Sequence, residues 1–185
     1  MKKFMMAAVA LICMIMSTTV LTSCGSDDNK TETTQPTKKP VYALINYAVE
    51  LTDDMFKYGD FTVEYYDSDG MVQTEKLTEK RWVKRGTRAK LPAKLGMRLK
   101  VQMKPDADPS EVTSVQVCRE YAYTYGLEYD NGDITTIENF DTESKSKRTI
   151  AGNELADWFT RYKDKVCSYL YVFDANGEVS TGTWE

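Results

Sequence analysis

Histidine is missing from all 185 residues. It is the commonest general base and metal ligand near neutral pH, so its absence excludes Ser-His-Asp and Cys-His nucleophilic arrangements and every histidine-containing zinc site. Cysteine is scarce as well, with four residues at 13, 24, 118 and 167. Cys118 and Cys167 lie 49 positions apart, which makes neither a Cys-x-x-Cys redox pair nor a four-cysteine zinc site. No glycine-rich loop stands before a helix to cradle phosphate. Carboxylate pairs exist at Asp53 with Asp54 and at Asp106 with Asp108, both in turn-like contexts. The expectation is therefore no catalytic residue, no metal and no cofactor, with a small hydrolase using carboxylates as the third-ranked reading.

Long apolar runs are absent but for one, Phe4 to Val20, which follows Lys2 and Lys3 and closes with Leu21-Thr22-Ser23-Cys24. A run of about 17 residues followed at once by Gly25-Ser26-Asp27-Asp28-Asn29 reads as an export signal rather than a retained spanning helix. Its end resembles a bacterial lipoprotein lipobox, which implies cleavage before Cys24 and a palmitate-type diacyl anchor on its sulfur. The acidic residues after Cys24 resemble the tract of Bacteroidetes-type surface lipoproteins, implying lipid anchoring in the outer membrane of the cell envelope, surface-exposed or periplasmic. Residues 48–54 and Leu91-Pro92-Ala93-Lys94 are similar in outline to small Bacteroidetes lipoproteins across 41–130. That likeness brings no activity with it.

Residues 1–23 would be the signal peptide, 24–40 the lipidated cysteine and a disordered tether, and 41–185 a single domain. The signal carries two of the 24 basic residues and none of the 28 acidic ones, leaving the mature chain at −6. Residues 25–40 hold no large apolar side chain to bury. Only Cys118 and Cys167 then remain as thiols, open to two readings: a disulfide, stabilising by about 4 kcal/mol on the chain-entropy model, or two buried free thiols.

From Val41 onward the apolar period is two. Leu95, Met97, Leu99, Val101 and Met103 alternate with Gly96, Arg98, Lys100, Gln102 and Lys104, and the segments from Ile45 and from Phe61 behave alike. Three segments share an aromatic residue, an Asp and a Gly: 66–72, 129–134 and 173–179. They predict hairpins in which Asp or Asn bonds the turn and Gly takes positive φ, rather than calcium loops, whose later ligands are missing. Leu155, Trp158, Phe159 and Tyr162 fall on one helical face after Asn153, a helix that would plug the core. The expected fold is all-β, a two-layer β-sandwich of immunoglobulin or transthyretin type with about seven strands and one short C-terminal helix. A helix on one antiparallel sheet is the alternative.

Charge is segregated. Lys76 to Lys104 holds 11 basic residues and one acidic, +10, which leaves the rest of the mature chain at −16. Lys84, Arg85, Arg88, Arg98 and Lys100 could meet an acidic glycan, lipopolysaccharide or an envelope protein, or could answer the domain's own acidic strands. Nucleic acid does not suit an exported acidic chain. Trp82, Tyr121, Tyr123 and Tyr125 would form a platform for sugar rings if exposed, or core if buried. The leading expectation is a non-catalytic, lipid-anchored envelope protein acting as a binding or accessory module; a carbohydrate-binding module is the alternative.

Overall fold

In a computed structural model, residues 38–142 and 147–184 are described; the signal, the lipidated cysteine and nearly all of the tether lie outside them. Strand β1 (Pro40–Glu50) buries Ala43, Ile45, Tyr47 and Val49 and turns Asn46, Ala48 and Glu50 to the other side, as its period of two dictates. Helix α1 (Asp53–Tyr58) follows. Then come β2 (Gly59–Tyr66), β3 (Val72–Lys76), β4 (Arg81–Lys90), β5 (Ala93–Met103), β6 (Ser114–Val117), β7 (Glu120–Tyr129), β8 (Ile134–Asp141) and β9 (Arg148–Ala151). A 3-10 turn leads into α2 (Leu155–Arg161), and β10 (Cys167–Phe173) and β11 (Val179–Thr181) complete the described chain.

The strands are antiparallel throughout. One sheet runs β4-β1-β7-β8, a second runs β11-β10-β5-β2-β3, and β6 pairs with β9 in a small ribbon. The first sheet contributes Ile45, Tyr47, Tyr123 and Tyr125 to the core, and the second contributes Phe61, Val63, Leu95, Met97 and Leu99. Polar groups bridge the layers too: the Tyr171 hydroxyl donates to that of Tyr123 at 2.6 Å, and the Gly96 N–H donates to the Tyr47 hydroxyl at 3.1 Å. The fold is an all-β sandwich with its core between the two large sheets.

The three predicted hairpins share one geometry. In each, the first residue's N–H bonds the carbonyl four positions on (Asp67 to Met71, Tyr129 to Asp133, Asp174 to Glu178). The Gly at the fourth position (Gly70, Gly132, Gly177) takes φ of 75°, 84° and 80°. Asp67 and Asp174 each accept two turn N–H groups through Oδ1; Asn131 Oδ1 accepts from Asp133 N in the other. All three turns, the β4–β5 link and the chain's entry at Lys38 lie at one end of the sandwich, here the turn pole. Both helices and the β6–β9 ribbon lie at the other.

The structure differs from expectation in three respects. There are eleven strands among the described residues rather than about seven, because β3, β9 and β11 are short and mostly exposed, without a buried alternating stripe, and β6, although it buries Val115 and Val117, has only four residues. Asp53 and Asp54 open a helix instead of lying in a turn. Thr52 Oγ1 caps it by accepting from Met55 N at 3.1 Å, both carboxylates sit in its first turn, and Met55 and Tyr58 are buried. Asp54 Oδ2 also accepts the Gln116 N–H at 2.6 Å, which ties α1 to β6.

The third concerns the thiols, which are both buried and free, so the disulfide reading is corrected. Cys118 packs against α1, its Sγ 3.3 Å from the Glu50 carbonyl and 3.8 Å from Met55 Sδ, while Cys167 opens β10 opposite Leu99. Burial pushes both thiols above their ordinary range, which keeps them protonated and unreactive at neutral pH. Thiol-reactive dye should therefore label both in denatured, unreduced protein and neither rapidly in the native state. Two unreactive positions after denaturation would restore the disulfide.

Candidate functional site

The basic strands β4 and β5 do not neighbour one another, so no ladder sets their charges face to face. Acidic or aromatic groups of the same domain answer most of them. On the second sheet, Glu64 of β2 receives Arg98 Nε and Lys100 Nζ from β5, both at 2.5 Å. Arg88 grips Glu128 with Nε and Nη2 at 2.7 and 2.8 Å and stacks on Tyr42, 3.3 Å from the ring centre. Lys84 lies 5.1 Å from the Tyr65 ring centre, Lys76 pairs with Asp60 at 3.0 Å, and Lys80 pairs with Asp53 at 2.6 Å. Arg85 is exposed and has no acidic partner among the described residues.

Burial on its own would raise the Glu64 carboxyl, but the hydrogen bonds from Lys100 and Arg98 outweigh it and hold the group below the ordinary glutamate range. A depressed carboxylate contributes stability that is present above its unfolded pKa, about 4.3, and lost as pH falls through the folded value. Arg98→Glu sets a second carboxylate against Glu64 and should cost about 2 kcal/mol or more at pH 7, less below pH 4 where both protonate. Arg85→Glu should stay within about 0.5 kcal/mol. Urea denaturation at the two pH values measures both.

The aromatic platform is corrected. Odd-numbered residues of β7 face inward, and Tyr123 and Tyr125 are buried between the sheets, where Tyr123 donates to Glu138 Oε1 at 3.1 Å. Trp82 lies on the inner side of β4 opposite Val49, packs on Tyr65 with ring centres 5.4 Å apart, and donates its indole N–H to Glu75 Oε2 at 2.9 Å. Tyr121 is half-buried and lines a surface cleft. A layer made by two large sheets needs bulky rings to fill it, and these four residues supply several of them.

Tyr121 opens into a cleft of about 490 Å³ at the helix pole, lined also by Val117, Cys118, Arg119, Thr142, Arg148, Trp158 and Tyr162. Three remote segments assemble it. The first runs from the end of β6 into β7, where the Thr142 hydroxyl accepts from Tyr121 N at 2.9 Å and donates to Tyr121 O at 3.1 Å, fastening β8 to β7. The second is the start of β9, where Arg148 pairs opposite Val117. The third is α2, whose Trp158 forms a buried floor with Tyr162 beside it, ring centres 4.9 Å apart.

Two guanidinium groups converge on Tyr162, that of Arg119 at 5.3 Å and that of Arg148 at 5.9 Å from the ring centre. Arg119 is aimed by backbone, donating from Nε to the Val166 carbonyl at 3.3 Å and from Nη2 to that of Lys165 at 3.0 Å. No Asp or Glu lines the cleft among the described residues. Glu120 is nearby but is engaged by Lys147 at 3.4 Å. Arg119 and Arg148 escaped sequence reading because they lie outside the basic run and 29 positions apart; only the fold makes them neighbours.

The clefts at the turn pole differ. One of about 560 Å³ mixes signs, with Arg88 bound to Glu128 and Asp130 accepting from the Lys39 backbone N–H at 3.3 Å. Another of about 550 Å³ is lined by Pro92, Ala93, Val172 and Phe173 with two lysines and one aspartate. Among the described residues no group of three or more acidic or cysteine side chains is placed to hold a metal ion, and no helix is long and apolar enough to cross a membrane. Compared with models of known families, with curated proteins and with solved structures, the chain matches none.

Proposed function

We propose that this is a lipid-anchored cell-envelope protein, exported and acylated at Cys24, whose β-sandwich is a non-catalytic binding module for an anionic ligand. The observation that carries the reading is the exposed guanidinium of Arg148 held over the Tyr162 ring at the mouth of an aromatic-floored cleft. Guanidinium donors match carboxylate, sulfate and phosphate oxygens, and charge-assisted bonds of this kind are about twice as strong as neutral ones. The apolar run ending at Cys24 supports the address. The cleft lies at the pole of the domain opposite Lys38.

Retention of the mature protein on immobilised dextran sulfate at low salt tests this. Binding should fall in Arg148→Ala, whose exposed side chain can be removed without opening the core, and should persist in Arg85→Ala. It should also weaken toward 1 M salt, where the Debye length is about 3 Å. Equal retention of Arg148→Ala and the parent would contradict the reading.

A further inference from the structure

We propose that the outer face of the first sheet is a dimerisation surface, taken by the same face of a second copy of this chain, with the two-fold axis parallel to the strands. An outer sheet face that stays in water carries polar and charged side chains, and the second sheet complies. Its outer side holds Glu64, Arg98 and Lys100. Residues 182–184 also cross it, the Gly182 N–H donating to the Leu170 carbonyl at 2.8 Å and Trp184 packing on Tyr66 with ring centres 5.1 Å apart. The first sheet differs. Its register sets Leu44 beside Gly126, Asn46 beside Thr124 and Ala48 beside Ala122, three successive rows across the central strands β1 and β7. None of the six is charged, and exposed Val83 continues the last row onto β4. Such rows let a second sheet approach to about 10 Å, where long charged side chains would hold it off. Four strands of about eight residues make a footprint of roughly 19 by 27 Å, or about 1,000 Å² over two copies, which is enough for a specific if modest interface.

Charge selects the axis. Strand β4 at one margin carries five basic residues and no acidic one, whereas β8 at the other carries Glu138 and Asp141 and no basic one. Rotation about an axis along the strands lays β4 of each copy over β8 of the other. Rotation about an axis across them would lay β4 on β4 and set like charges together. Arg81 and Arg85 have no acidic partner among the described residues and so can answer the neighbouring copy. The same rotation keeps Lys38 of both copies at one pole, as two chains anchored in one membrane require on the reading above, and anchoring both there raises their effective concentration.

Analytical ultracentrifugation of the mature chain carrying Cys24→Ala tests the inference, since neither a lipid nor an anion is needed. Dimer should grow with concentration and predominate by about 100 μM. Ala122→Arg, with Thr124→Arg as a second probe of the same rows, should raise the dissociation constant about tenfold or more, with circular dichroism confirming that each variant folds. Arg81→Glu combined with Arg85→Glu should weaken the dimer severalfold, and 1 M salt should weaken the parent likewise. A parent that stays monomeric throughout, or a dimer indifferent to both Ala122→Arg and Thr124→Arg, would overturn the inference. A tighter dimer on reversing Arg81 and Arg85 would mean that β4 faces β4 and would overturn the proposed axis. Neither failure would touch the anion-binding reading, which the dextran sulfate measurement decides.

Discussion

Cys24→Ala should move the protein wholly from the detergent phase to the aqueous phase on phase partitioning, or leave an uncleaved precursor. Each buried methylene of an acyl chain is worth about 0.8 kcal/mol, and two chains hold a protein stably where one holds it only marginally. On the proposed lipoprotein reading both chains sit on the one sulfur of Cys24, so a single substitution would remove the entire anchor. Among the described residues no helix could replace it. Unchanged partitioning of the variant would refute the lipoprotein assignment and leave the domain's binding chemistry unaffected.

Gly96→Ala should be strongly damaging, costing about 3 kcal/mol by urea denaturation. Gly96 lies in the middle of β5 opposite Leu170 of β10, in the centre of the five-stranded sheet. An added Cβ would overlap the Tyr169 carbonyl oxygen and lie 2.7 Å from Leu170 Cα, so β5 and β10 would have to part. The Gly96 N–H also reaches across the sandwich to the buried Tyr47 hydroxyl, and that bond would be displaced with it. Tyr47→Phe removes only the hydroxyl, leaves that N–H unpaired in the core, and should cost about 1–3 kcal/mol. A loss below 1 kcal/mol for Gly96→Ala would mean that the two strands are less closely packed than described.

The legible parts of the fold were those where one face is buried and the other wet. Leu95 to Met103 alternates cleanly because β5 is central, and the three Asp-Gly turns announce themselves through residues chosen for turn geometry. Strand β8 sits at an edge with Ile134 and Ile137 exposed and a register shift opposite Tyr125 and Gly126, so no period marked it. Helix α1 has six residues, too few for an apolar stripe, although Thr52 before two acidic residues was an N-terminal signal that could have been read. The basic run was visible, but its meaning was not: only the pairing of β2 with β5 reveals that Glu64 answers both Arg98 and Lys100. Tyr121 was grouped in the sequence with Trp82, Tyr123 and Tyr125, whereas its neighbours around the cleft come from β9 and α2.

The central claim is that the helix-pole cleft, rather than the basic strands, meets an anion. Following the backbone amide signals of the mature protein by NMR during titration with an acidic oligosaccharide tests it most directly. The account predicts that the shifts concentrate at residues 117–121, at Arg148 and at 158–162, while β4 and β5 stay unmoved. Shifts centred on Arg81–Lys90, or none at any residue, would contradict it.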